Sequence, residues 1–285
     1  LNSASSGEWI KGDNAIFPAN CIRHYAIYNG VLYGFDGYYN SSAGEDEYYG
    51  VKYDGTAWTD ISNYNLDVGA SDGMYPIVLD NKLYIFINRE MYEYDTQTSK
   101  LSKIYDSVSM GGYYYLFIPF NNKIFSLSRA WGDSYTYYYG TFYDYKQQQT
   151  PYTSTAGIDY NGYISDAVEY NNLLYIFLQN SDYSYSFNGI SYTQFTLPEY
   201  MTPWPVVFRD KIHIFSRSDR NELHYIYDGQ SFTRLNDAPY DLNSYACFFV
   251  YNDKLHVISN YYRPNHYIYN ESGDSFTKVS WLCSK

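Results

Sequence analysis

Six times along the chain, an aromatic or aliphatic residue, a short polar turn and a Leu- or Ile-led β run recur in one frame. The copies are Tyr28-Asn-Gly-Val-Leu32, Leu79-Asp-Asn-Lys-Leu83, Phe120-Asn-Asn-Lys-Ile124, Tyr170-Asn-Asn-Leu-Leu174, Phe208-Arg-Asp-Lys-Ile212 and Tyr251-Asn-Asp-Lys-Leu255. Each opens a run such as Leu83-Tyr-Ile-Phe86 or Leu255-His-Val-Ile258. The six anchors fall 51, 41, 50, 38 and 43 residues apart, a mean of about 45, which is the period of propeller blades.

A second signal follows in most units: an aromatic, a tight turn and another aromatic, as in Tyr53-Asp-Gly-Thr-Ala-Trp58, Phe187-Asn-Gly-Ile-Ser-Tyr192 and Tyr227-Asp-Gly-Gln-Ser-Phe232. Asp-Gly and Asn-Gly suit two-residue hairpins because both central positions adopt positive φ. Units two and three lack the glycine, with Tyr94-Asp-Thr-Gln-Thr98 and Tyr143-Asp-Tyr-Lys146 in its place. One unit therefore reads as four strands, for example 165–170, 173–178, 183–187 and 191–197. Small antiparallel sheets of this kind cannot bury both faces alone, so they stack radially. The expectation is an all-β, six-bladed propeller filling residues 1–285, with blades near 21–62, 72–105, 113–155, 164–197, 204–236 and 244–280.

The order of inner strand, Asn-Asp-Lys turn, Leu-Tyr-Ile-Phe strand, Tyr-Asp-Gly turn and Trp/Phe-Thr strand resembles the Kelch repeat. The resemblance covers 23–279 but lacks that family's Gly-Gly doublet, whose place is held by Asp36-Gly37, Asn88-Arg89, Ser128-Arg129, Gln179-Asn180, Ser216-Arg217 and Ser259-Asn260. It is similar to Kelch-like repeats of bacterial surface and phage structural proteins. In Kelch proteins of animal cells the face opposite the short turns binds acidic peptides, which the resemblance implies as a mode here.

Composition narrows function by exclusion. The formal charge is -12, and no basic stripe is present of the kind a phosphate-binding surface needs, so nucleic acid is not an expected partner. No apolar run approaches the roughly 18 residues that span a bilayer, so no membrane insertion is expected. The opening 1–20 reads as a leader with an extra outer-type strand, because Gly7-Glu-Trp9-Ile10 matches Gly229-Gln-Ser-Phe232-Thr. This reads as the tail of an earlier unit in a longer multidomain protein, or as a ring-closing strand. Cys21 and Cys283 flank the seam between first and last units and form a possible disulfide, which would place the protein in an oxidising compartment. Free buried thiols are the plainer alternative, and Cys247, inside an apolar run, reads as core.

A propeller core carries no chemistry of its own, so function is sought in loops. On one face lie short polar turns. On the other lie the connections 37–49, 128–139, 179–184, 216–222 and 259–266 within blades, and 62–75, 107–114, 152–164, 198–205 and 236–245 between them. The chain holds 41 Tyr, and many fall here. Candidate ligand-binding residues are Tyr38, Tyr39, Tyr48, Tyr114, Trp131, Tyr135, Tyr163, Tyr183, Trp204, Tyr245 and Tyr261, whose rings offer stacking faces for sugars or anchors for a partner. Arg89, Arg129, Arg217 and Arg263 recur about five residues past an anchor and suit an anionic group, or pair with loop carboxylates.

Motifs of catalysis are absent from the sequence: it holds no phosphate loop, Cys-x-x-Cys, Gly-x-Ser-x-Gly or paired-His metal spacing, and no cofactor is expected. His213 and His256 occupy the slot held elsewhere by Tyr33, Tyr84, Phe125 and Tyr175 and so read as structural aromatics. Galactose oxidase, built on Kelch-type blades, needs Tyr and His ligands and a crosslinked Cys that do not stand out. The Ser-x-Asp-x-Gly-x-x-Trp box of sialidases is broken at Asp54-Gly-Thr-Ala-Trp58. The leading expectation is a non-enzymatic recognition module of an extracellular, cell-surface or virion protein, with a glycan or protein/peptide ligand. A carbohydrate-active enzyme, with a loop carboxylate pair, and a cytosolic Kelch-type adaptor are the alternatives.

Overall fold

In the computed structural model, the described residues are 24–40, 45–55, 57–61, 74–87, 90–105, 113–131, 136–143, 152–159, 162–217, 222–239, 246–259 and 265–279. They form an all-β propeller of four-stranded antiparallel blades. The first sheet holds β1 (His24–Tyr28), β2 (Val31–Asn40), β3 (Glu45–Tyr53) and β4 (Trp58–Asp60), and the second holds β5 (Met74–Leu79), β6 (Lys82–Ile87), β7 (Glu90–Asp95) and β8 (Lys100–Tyr105). The third contains β9 (Tyr113–Phe120), β10 (Lys123–Trp131), β11 (Thr136–Tyr143) and β12 (Tyr152–Asp159), and the fourth β13 (Ile164–Tyr170), β14 (Leu173–Leu178), β15 (Ser181–Phe187) and β16 (Tyr192–Met201). The fifth is β17 (Trp204–Phe208), β18 (Lys211–Arg217), β19 (Glu222–Tyr227) and β20 (Phe232–Arg234), and the sixth β21 (Cys247–Tyr251), β22 (Lys254–Ser259), β23 (Asn265–Asn270) and β24 (Ser275–Val279). In every sheet, consecutive strands pair as neighbours.

The polar pair after each first strand has one physical role. Asn29 and Gly30, Asp80 and Asn81, Asn121 and Asn122, Asn171 and Asn172, Arg209 and Asp210, and Asn252 and Asp253 all have φ between 46 and 75°. Two successive positive φ values make the type I′ turn whose twist matches the strands it joins. Asn, Asp and Gly tolerate that region better than other residues, which is why they recur. Beyond the turn, the anchors Leu32, Leu83, Ile124, Leu174, Ile212 and Leu255 are at most 1% exposed.

Each apolar cluster spans two neighbouring sheets, so the core lies between blades. Leu116, Ile118 and Phe120 of the third sheet pack on Leu174, Ile176 and Leu178 of the fourth. Leu32, Val51 and Trp58 of the first pack on Cys247, Phe249 and Tyr251 of the sixth. The inner strands touch in cyclic order, β1 to β5, β9, β13, β17 and β21, and β21 returns to β1. A hydroxyl repeats the same relation: Tyr28, Tyr170 and Tyr251 end their inner strands and donate to the turn carbonyls of Asn81, Asp210 and Gly30 in the next sheet, at 3.1, 2.6 and 2.8 Å.

Several expected boundaries move. The strand β12 continues to Asp159 and β16 to Met201, past the expected ends at 155 and 197, because Thr- and Tyr-rich segments keep pairing as strand. The leader 1–20 with its Trp9 strand, and both Cys21 and Cys283, lie outside the described residues. Cys247 is buried, 3% exposed, as its apolar run suggests.

Candidate functional site

An axial channel of about 470 Å³ is lined by a stretch from each sheet: His24 and Tyr25, Tyr75 to Ile77, Leu116 to Pro119, Asp166 to Glu169, Pro205 to Val207, and Phe248 with Phe249. Its size lies within the range of small-ligand sites. The inner strand of each blade has a free edge here, with alternate N–H and C=O groups turned to the channel. Pro76, Pro119 and Pro205 stand opposite Ile85, Ile124 and Ile214. Proline is confined to ladder positions whose nitrogen bonds no partner, so these pairs mark which residues point their backbone inward. The same frame turns the N–H of Ala167, opposite Ile176, towards the channel.

That amide is capped by its own neighbour, since Ala167 N donates to Asp166 Oδ1 at 2.8 Å. Just before Asp166 the ladder slips between Ile164 and Asp166, a bulge of the kind that re-aims a side chain. Asp166 keeps some accessible surface because it faces the channel, yet protein surrounds it on the remaining sides. Burial pushes its carboxyl up to about 7, partly offset by the Ala167 N–H. Glu169 is also raised by burial. The lining is otherwise aromatic and aliphatic: Tyr75 packs against His24 at 4.3 Å and Phe117 at 5.6 Å, and Tyr25 against Phe249 at 5.1 Å between ring centroids.

These two carboxylates do not make a glycosidase pair. Three residues apart on one strand, their Cα atoms stand roughly 10 Å apart with side chains on opposite faces, whereas both hydrolytic geometries need carboxyl groups facing one bond at about 5–9.5 Å. Among the described residues, no group of three or more His, Cys, Asp and Glu side chains is placed to hold a metal.

The aromatic residues expected in loops are mostly strand residues. Tyr38 and Tyr39 lie in β2 opposite Glu47 and Asp46, and Tyr48 lies in β3 opposite Gly37. In the third sheet Tyr114 stands opposite Ser128, Arg129 between Tyr113 and Tyr138, and Trp131 opposite Thr136. The structure thus brings Tyr114, Arg129 and Trp131 onto adjoining strands of one sheet. Arg217 ends β18 opposite Glu222. Two expected ligand residues prove to be packing residues. Trp204 is half-buried in β17 and stacks on Phe248 at 6.3 Å, and Tyr183, in β15, packs on the core between the third and fourth sheets. Tyr163 does precede its strand and is 50% exposed. Arg89, Tyr135, Tyr245, Tyr261 and Arg263 lie outside the described residues.

Sequence reasoning missed one buried polar arrangement and the channel carboxylate. His213 Nδ1 meets His224 Nε2 at 2.9 Å, and His256 Nδ1 meets His266 Nε2 at 2.7 Å. His256 Nε2 also lies 3.2 Å from the Tyr251 carbonyl. A carbonyl only accepts, so that nitrogen carries the proton and Nδ1 accepts from His266. All four rings are buried, and burial holds them neutral, with His213 and His256 pushed down to about 4. The anchor frame places His213 and His256 in advance; their partners sit on third strands, whose register no motif marks.

No family model matches the chain, and no curated protein matches it. Solved structures do match in fold. The YjhT structure superposes with a TM-score of 0.64 at 12% identity, covering 92% of this chain and 97% of that one. Oligogalacturonate lyase from Vibrio parahaemolyticus gives 0.58 at 9% identity, over 92% of this chain and 79% of that one. Trypanosoma rangeli sialidase, in complex with 2,3-difluorosialic acid, gives 0.55 at 13% identity over 90% of this chain, which spans only 53% of the sialidase. At these identities the likeness speaks for the propeller fold alone.

Proposed function

We propose that this chain is a six-bladed, Kelch-like recognition propeller of an extracellular, cell-surface or virion protein, binding a glycan or a protein/peptide ligand on the face opposite its short I′ turns. Six hydrogen-bonded strand sets and the cyclic contacts of their inner strands support six blades over five, since five would leave one complete sheet out of the ring. The observation that carries the reading is the unequal length of the second strands. Strands β6 and β14 have 6 residues each, whereas β2 has 10 and β10 has 9. At about 3.3 Å per residue, the longer hairpins reach roughly 10–13 Å further along their strands. They carry Tyr38, Tyr39, Tyr48, Arg129 and Trp131 on paired backbone, which fixes the main chain beneath these residues before any ligand arrives.

The test is a glycan and peptide array probed with the wild-type protein and with Arg129→Ala and Trp131→Ala. Each truncation is expected to weaken the selected ligand by at least about tenfold, as removal of an interface anchor does. Unchanged binding in both variants would remove the reading.

A further inference from the structure

We propose that the axial channel is a binding site for an organic ammonium group, with Asp166 as its counter-ion and the half-buried side chains of Tyr75 and Phe248 among its lining. The site is separate from the hairpin face, and its test needs no ligand of that face.

Three observations point the same way. First, Asp166 is half-satisfied. One carboxyl oxygen accepts from the Ala167 amide, and among the described residues no side chain pairs with the group, so its second oxygen is left to whatever occupies the channel. Second, the backbone edge around it offers more acceptors than donors. Proline occupies an inward-facing position in three of the six inner strands, at Pro76, Pro119 and Pro205, and each removes an N–H while leaving its carbonyl. Ala167's inward N–H is consumed by Asp166 itself. Third, among the described residues no Lys or Arg lines the channel. Among the described residues, the titratable side chains facing it are His24 and Tyr25 from β1, Tyr75 from β5, and Asp166 and Glu169 from β13, with none from β9, β17 or β21.

A donor-poor, carboxylate-bearing channel in a chain of net charge -12 selects against anions and rewards a cation that is also a hydrogen-bond donor. An ammonium supplies both, and the apolar part of the lining suits the alkyl chain it carries. A bare metal ion fits less well, because the described residues supply no cluster of three side-chain ligands. Burial alone keeps the carboxyl partly protonated near neutrality, so ammonium binding should draw a proton off Asp166 and strengthen as pH rises towards 7.

Titration of the intact chain with n-butylammonium chloride, followed by calorimetry at pH 5, 6, 7 and 8, tests this, with 1-butanol as the uncharged isostere. The expected result is saturable butylammonium binding at pH 8 that weakens by about tenfold per pH unit below 7, with proton release on binding at pH 6. Asp166→Asn, its melting temperature checked against wild type, should bind at least tenfold more weakly, and Asp182→Asn, at an exposed position of β15 outside the channel lining, should bind within about twofold of wild type. Should Asp166→Asn fail to fold, the wild-type pH profile and the butanol comparison still decide. Equal binding of butylammonium and butanol, no saturable binding, a flat pH profile, or preferential uptake of Ca²⁺ or K⁺ would each overturn the proposal.

Discussion

The two histidine pairs show how one position in a repeat can be solved in different chemical ways. Where the slot after the anchor holds a full aromatic ring, the third strand facing it tends to be small: Tyr33 sits diagonally across from Gly50 and Phe125 from Gly140. Where the slot holds His213 or His256, the third strand supplies His224 or His266, and two imidazoles share the volume through one hydrogen bond. The consequence is a pH dependence with a definite sign. All four rings have folded-state values pushed below the ordinary 6.5. The unfolded chain therefore binds protons first as pH falls, and stability is lost between about pH 6.5 and 4, at up to about 1.4 kcal/mol per pH unit for each ring. Asp166 works against this. Its folded value is raised, as is that of Glu169, so these two groups weaken the fold as pH rises through the carboxylate range, but they are two groups against four. Urea midpoints measured from pH 7.5 to 4.5 should fall with acid. The double variant His213→Tyr, His224→Gly, which copies the Tyr33 and Gly50 solution, should lower that slope by up to half. An unchanged slope would show that the buried imidazoles are not its source.

Single elements were legible where a local rule fixes them and illegible where a partner strand does. Asn121-Asn122 or Asn171-Asn172 announces a I′ turn because positive φ is a property of those residues alone. The segments around Tyr38-Tyr39 and Arg129-Ala-Trp131 read as loops when measured outward from the anchor, yet they are strands, because each has a complementary run that keeps pairing: Glu45 to Tyr48 in one case, Thr136 to Tyr138 in the other. No local signal separates Tyr in a binding loop from Tyr on a pleated surface. Gly140 is a sharper case, invisible in sequence but tightly constrained in the sheet. A Cβ there would lie 2.2 Å from the Phe125 ring and 2.5 Å from the Tyr192 hydroxyl oxygen. Gly140→Ala should cost about 1–3 kcal/mol or more through overpacking. Pairing it with Phe125→Leu, which vacates the nearest atoms, should recover part of that loss in urea denaturation. No recovery would mean that the strain lies in the backbone and not in this contact.

At the scale of the whole molecule the question is what closes the ring, and within the described residues the answer is side chains. Each sheet takes its four strands from one continuous stretch of chain, so within the described residues closure rests on side chains meeting across the seam between last and first blades. Phe249 and Tyr251 enter that seam against Tyr25, Tyr53 and Trp58. The Tyr251 hydroxyl reaches back 221 positions to the Gly30 carbonyl at 2.8 Å. The same hydroxyl-to-turn bond is made by Tyr28 and Tyr170 between blades adjacent in sequence, so the closing seam is built like an interior one. Blades two, three and five end their inner strands in Leu79, Phe120 and Phe208, which have no hydroxyl to give. If closure is equivalent to interior packing, Tyr251→Phe should cost the same as Tyr28→Phe or Tyr170→Phe, about 1 kcal/mol for one partly buried hydrogen bond. Phe249→Ala should cost about 3–5 kcal/mol by emptying the seam, with the urea m-value unchanged because the ring still unfolds as one unit. A chain whose first and last blades do not meet would register the Tyr28 and Tyr170 changes while remaining indifferent to both changes at the closing seam.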